Sequence, residues 1–129
     1  MPFLTPLKVQ LLNDREQFPW ITLAELVWED PTTGETYIVP KHFRTDGASI
    51  PKALVSVPAL GQLAFNRFFG VGVWQGFREG VLHDFLRRGN PPPVKAAVAH
   101  NIFRIALEES GYPYDMVNSY YDAVKSFNS

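Results

Sequence analysis

The chain has no cysteine, which excludes disulfides, thiolate metal sites and a cysteine nucleophile, and is compatible with synthesis in a reducing cytosol. Charge of one sign is equally scarce. Twelve basic residues stand against thirteen acidic ones, a net charge of −1, so the chain lacks the basic excess that phosphate binding needs, and no nucleic-acid partner is expected. No apolar run approaches the ~20 residues of a membrane helix, so no membrane span is expected. The opening segment Met1-Pro2-Phe3-Leu4-Thr5-Pro6-Leu7-Lys8 has no basic stretch followed by an apolar one, and no signal peptide is expected. Internal repeats, linkers and low-complexity tracts are also missing.

What remains is apolar and aromatic. Hydrophobic residues form 46% of the 129 and charged residues 19%, enough for a packed interior and too hydrophobic for disorder. That length suits one domain, residues 1–129, and is short for two cores. Aromatics reach 14%, which leaves room for an aromatic surface covered by a partner, with Phe65, Phe68, Phe69 and Trp74 the candidates.

The first half has the pattern of strands. Leu7, Val9 and Leu11 alternate with Lys8 and Gln10, a second strand is expected from Trp20 to Glu29, and a third from Thr36 to Val39. Asp30-Pro31-Thr32-Thr33-Gly34-Glu35 supplies turn residues that make the last two a hairpin, and Pro40 ends the third. The second half has the pattern of helices. Ser49 can cap a short helix opening at Ile50-Pro51, and residues 58–73 are ambiguous. A helix from Trp74 to Arg88 carries Phe77, Val81 and Phe85 on one stripe. Gly89 is a natural C′ residue, and Pro93 can open a helix to Glu109 with Val98, Ile102, Ile105 and Ala106 inward. A last helix, Pro113 to Phe127, aligns Met116, Tyr120, Val124 and Phe127. Strands followed by helices predict an α+β fold, a small antiparallel sheet packed against three to four helices.

Polar residues gather in two places. Thr45, Asp46, Gly47, Ser49 and Pro51 are ordinary turn and cap chemistry, in which Asp46 bonds backbone amides; alternatively Asp46 is a ligand or orients a histidine. In Gly80-Val81-Leu82-His83-Asp84-Phe85, His83 falls opposite the apolar stripe. The plain expectation is a partly exposed histidine and an Asp84–Arg88 surface pair. A functional alternative follows from the Gly89–Pro93 break. His83 lies eight residues before Pro91 and His100 nine after it, so antiparallel helices put His83, Asp84 and His100 at one level. With His42 and Asp46 nearby, Asp84, Asp46 and His100 are candidate ligands for Zn²⁺ or a similar ion, though the spacing matches no compact metal motif.

Val39-Pro40-Lys41-His42-Phe43, the string Thr45-Asp46-Gly47-Ala48-Ser49-Ile50-Pro51 and the later His83-Asp84 together resemble the domain of unknown function 1353 family, carried by bacteriophages and prophages. The resemblance implies a phage genome, often near structural genes: synthesis in the host cytoplasm, a virion or assembly component of neck, tail or baseplate type, and partners that are other phage proteins or copies of itself. The family's His-Asp helix also looks like the active-site helix of calcium-dependent secreted phospholipases. That likeness implies His83 as base and Asp84 as holder of Ca²⁺, with Gly70-Val71-Gly72 standing for the calcium loop, and hence a hydrolase of lipid or cell-envelope esters. The chain departs from that pattern at Arg87, where a tyrosine is usual, at His100, where an orienting aspartate is usual, and in lacking the disulfides.

Overall fold

A computed structural model describes residues 3–12, 18–46 and 76–127. Five strands come first: β1 (Val9–Leu11), β2 (Trp20–Thr22), β3 (Leu26–Glu29), β4 (Thr36–Val39) and β5 (Arg44–Thr45). Three helices follow, α1 (Phe77–Arg88), α2 (Ala96–Glu109) and α3 (Tyr114–Phe127). The fold is α+β, with antiparallel pairing in the N-terminal half and helices in the C-terminal half. The short helix expected at Ile50, the ambiguous stretch 58–73 and the aromatics Phe65, Phe68, Phe69 and Trp74 lie outside the described residues.

The strand expected from Trp20 to Glu29 is two strands in two sheets. One sheet has the order β1-β2-β5 and the other pairs β3 with β4. The chain bends at Leu23 and Ala24, and Thr22 anchors the bend. Its buried hydroxyl donates to the Pro40 carbonyl at 2.7 Å and accepts the Phe43 N–H at 2.8 Å, so one side chain ties β2 to the β4–β5 connection. Even-numbered positions face inward on both sides of the bend, with Thr22, Leu26 and Trp28 all fully buried. Alternation alone therefore hides the break. The β3–β4 hairpin forms in the register Val27↔Ile38 and Trp28↔Tyr37. Its turn closes through the Asp30 N–H to Glu35 O bond at 2.8 Å, and Asp30 Oδ1 accepts the Thr32 N–H.

Helix α1 is the centre of the molecule. It packs on α2 and touches β4 and β5, while α3 covers the far side of α2. Phe77, Val81, Leu82 and Leu86 bury against Ile102, Phe103 and Leu107 of α2, and Met116, Tyr120 and Val124 of α3 complete the core. Trp20 meets Phe77 edge-on at 5.2 Å between ring centres and joins the three-stranded sheet to α1. Gly89 ends α1 with φ −56°, and a Cβ there would lie 2.9 Å from the Phe85 carbonyl oxygen. One local expectation fails. Val98 is 44% exposed, and Ala99 and Phe103 take its place inward. The second helix starts at Ala96, three residues later than the proline signal predicts, with Lys95 extended at its N-cap.

Gly76 sits at the N-terminus of α1 with φ 86°, and a Cβ there would lie 2.7 Å from Cε2 of the buried Tyr120. Gly76→Ala therefore combines left-handed strain with overpacking and is expected to cost about 2–4 kcal/mol. Urea unfolding monitored by tryptophan fluorescence measures it, and a loss under ~1 kcal/mol would show that α3 yields at this contact.

Candidate functional site

Asp84 lies in the third turn of α1, 6% exposed, facing β5. Its Oδ2 accepts the Thr45 hydroxyl at 2.7 Å. Arg88, one turn further on, reaches back with Nε to Oδ1 at 2.6 Å and Nη2 to Oδ2 at 2.7 Å, a two-pronged pair. The same Nη2 donates to the Arg44 carbonyl at 2.6 Å. The Arg88 guanidinium lies 3.8 Å above the Phe18 ring centre and 5.1 Å from that of Phe43. Arg44 in turn donates through Nε and Nη2 to the Phe18 carbonyl, at 3.0 and 2.8 Å. Asp84 and Arg88 thus hold β5 onto α1, and the pair expected at the surface is largely buried on its acidic side.

His83 points the other way, toward α2, and is 1% exposed where partial exposure was expected. The helix is enclosed on nearly every face, so the side opposite its aromatic stripe is interior too. His83 Nε2 and His100 Nδ1 are hydrogen-bonded at 2.8 Å, with the tautomers setting which ring donates. The rings lie nearly parallel at 5.0 Å, and Phe103 tilts against His83 at 5.3 Å. The antiparallel packing of α1 and α2 does bring these two histidines to one level. Their outer nitrogens, His83 Nδ1 and His100 Nε2, are buried without a hydrogen-bond partner among the described residues. Burial above all, then the positive charge of His100 and Arg87, pushes the His83 imidazole down to about 3. His100 is lowered as well, by burial and then by Arg87 and Lys125.

Glu79 was not anticipated. It lies one turn before His83 on α1, fully buried, with Arg78 Nε 3.6 Å from Oε2 and no closer partner for either oxygen among the described residues. Burial raises its pKa, with the Arg78 charge opposing. The i, i+4 spacing of Glu79 and His83 was a usable signal, masked by treating α1 as one-sided.

Asp84 is bonded to Thr45 and Arg88, His100 to His83, and Asp46 directly follows β5. His42 is exposed at φ 68° in the turn between β4 and β5. Among the described residues no three His, Asp or Glu side chains are grouped to hold a metal ion. Gly47, Ser49, Pro51 and the Gly70-Val71-Gly72 stretch lie outside the described residues. Chemically, the arrangement offers an engaged carboxylate and a weakly basic histidine pair in dry surroundings.

Two outcomes follow. Asp84→Ala leaves Arg88 and Thr45 without their acceptor and is expected to lower stability by about 2–3 kcal/mol, discounted because Arg88 is one-third exposed. A loss below ~0.5 kcal/mol in urea unfolding would show the clamp to be idle. His83 binds its proton far more readily in the unfolded chain, so its contribution is complete above its ordinary value of 6.5 and is lost as pH falls toward about 3. Stability should drop by up to ~1.4 kcal/mol per pH unit there, and less steeply in His83→Leu. Equal slopes for both proteins would assign the acid sensitivity elsewhere.

The family description "Protein of unknown function (DUF1353)" matches residues 20–124. No curated protein and no solved structure matches the chain. The matched stretch takes in β2 through most of α3, with the Thr45–Asp84 contact and the histidine pair inside it, and the chain belongs to the DUF1353 family.

Proposed function

We propose that this chain is a phage-encoded virion or assembly protein, of neck, tail or baseplate type, that acts through protein–protein contacts. The observation that carries this reading is the occupation of Asp84: both carboxylate oxygens serve Thr45 and Arg88, which fixes β5 to α1 instead of leaving an open ligand. The phage assignment rests on the resemblance carried by the Thr45–Pro51 and His83-Asp84 signature. Contact function is supported by the outward face of the hairpin. Phe3 bridges to Trp28, which sets Leu4 beside Val27, and Val27 pairs with Ile38; Leu4 and Ile38 are 54% and 47% exposed. These three aliphatic side chains form a row across neighbouring strands, a patch suited to a covering partner. In this reading the partners are other proteins of the particle or further copies of the chain.

A second reading, a hydrolase of lipid or cell-envelope esters, has one observation in its favour. His83 has one ring nitrogen held by His100 and the other without a partner, as an oriented general base would. Against it stand the depth of His83 and its low basicity, since a base at about 3 is a poor proton acceptor at neutral pH. His100 also lacks the negative charge that would stabilise an imidazolium. A divalent cation, Ca²⁺ or Zn²⁺, belongs to this second reading.

Mass spectrometry of density-purified particles from the producing phage is expected to find the polypeptide at stoichiometric level. Particles and assembly intermediates that lack it would overturn the first reading. In parallel, the purified chain with Ca²⁺ or Zn²⁺ is expected to leave phospholipid and envelope esters intact. Metal-dependent hydrolysis that disappears in His83→Ala would put the second reading first.

A further inference from the structure

Strand β4 is an edge. The hairpin is two-stranded, and among the described residues no further strand pairs with β4 on its outer side. The Asp30–Glu35 bond and the register assign the paired backbone groups, because bonded and non-bonded pairs alternate in an antiparallel ladder. Tyr37 and Val39 face β3 with their N–H and C=O, whereas Thr36 and Ile38 turn theirs outward. The far side of the hairpin obeys the same parity: the Val27 C=O accepts the Leu4 N–H, and the Val27 N–H donates to Thr5 Oγ1. Natural edges are usually blunted by a charge or a proline within the strand. Thr36-Tyr37-Ile38-Val39 contains neither; Pro40 and Lys41 come after it, and Glu35 before it.

We propose that β4 is a self-pairing edge, joining two copies of this chain through an antiparallel β4–β4 contact centred on Ile38. Centring on Ile38 places the outward backbone groups of the two Ile38 residues opposite each other, where they exchange both hydrogen bonds. The Thr36 N–H then faces Pro40 of the second copy, where the ladder ends, because Pro40 has no N–H and its carbonyl already accepts the Thr22 hydroxyl. The half-exposed Ile38 side chains cover each other. Antiparallel self-pairing brings Glu35, just before one β4, near Lys41, in the turn just after the other, twice by symmetry; Glu35 Oε2 also accepts the Tyr37 hydroxyl at 2.7 Å. Glu35 and Lys41 are both exposed, and Lys41 forms no ion pair within the described residues. Charge complementarity thus selects this register and this partner. The other apolar edge, β1, has Lys8 as its nearest charge and offers a second copy no described acid to meet it. The proposal deepens the assembly reading by naming a partner for the hairpin, and the short strand makes it a weak contact.

Sedimentation equilibrium of the full chain at low salt tests it, with a dimer of twice 14.6 kDa expected and a dissociation constant on the order of tens of micromolar. Ile38→Lys and Lys41→Glu should each weaken the dimer at least ~10-fold, and the double variant Glu35→Lys/Lys41→Glu should return it to within ~3-fold of the parent. Rescue by double reversal separates a pairing effect from misfolding. A monomer at ~1 mM, a dimer indifferent to Ile38→Lys, or no rescue by the reversed pair would each overturn the proposal. A monomer that is still present in particles overturns the edge pairing alone; a β4 dimer absent from particles overturns the assembly role alone.

Discussion

The two-pronged bond between Arg88 and Asp84 is the constraint on which the arrangement of layers depends. β5 is two residues long and cannot hold itself against a helix by strand pairing alone. It is held because Asp84 takes the Thr45 hydroxyl while Arg88 takes the Arg44 carbonyl, so one ion pair grips adjacent residues of the strand by side chain and by backbone. The guanidinium is sandwiched by Phe18 and Phe43, which shield its stem and fix its plane. Through β5 the grip passes to β2, and through Trp20 it returns to α1 at Phe77. The loop of contacts closes on itself, and the sheet is positioned without a continuous β layer.

Opposite this clamp, α1 carries polar groups whose burial is not offset by hydrogen bonds. Glu79 is fully buried with the Arg78 guanidinium 3.6 Å from Oε2, and among the described residues the histidine pair satisfies only its inner nitrogens. Buried polar groups short of partners cost stability, typically ~1–3 kcal/mol each. The two sides of α1 therefore differ in kind. Toward β5 both carboxylate oxygens of Asp84 are used; toward α2 the polar groups are deeply buried. Burial there lowers the histidines and raises the acid.

Much of the fold was legible in the sequence, for reasons that individual residues make plain. Alternation at Val9 and Leu11, the Pro-Gly turn at Asp30–Glu35 and the break at Gly89–Pro93 are local signals, and each marks a real boundary. The second strand was misjudged because Trp20, Thr22, Leu26 and Trp28 keep one parity through the bend, so the pattern carries no trace of a change of sheet. β5 was invisible because its residues are polar and its stability comes from α1, far along the chain. His83 was placed at the surface because a stripe argument assumes one buried face, and α1 has partners on nearly all sides.

The same distinction governs the site. Antiparallel helices around the proline break were enough to predict that His83 and His100 would share a level, because rise per residue is fixed. Which groups would bond could not be read that way. Asp84 had Arg88 one turn away on its own helix and Thr45 thirty-nine residues earlier, and both contacts are made on one carboxylate. Once both oxygens are engaged, a cation at Asp84 would have to displace the guanidinium that holds β5. Ligand binding there and the seating of the strand are consequently competing uses of a single side chain, and the hydrogen bonds place Asp84 with the strand.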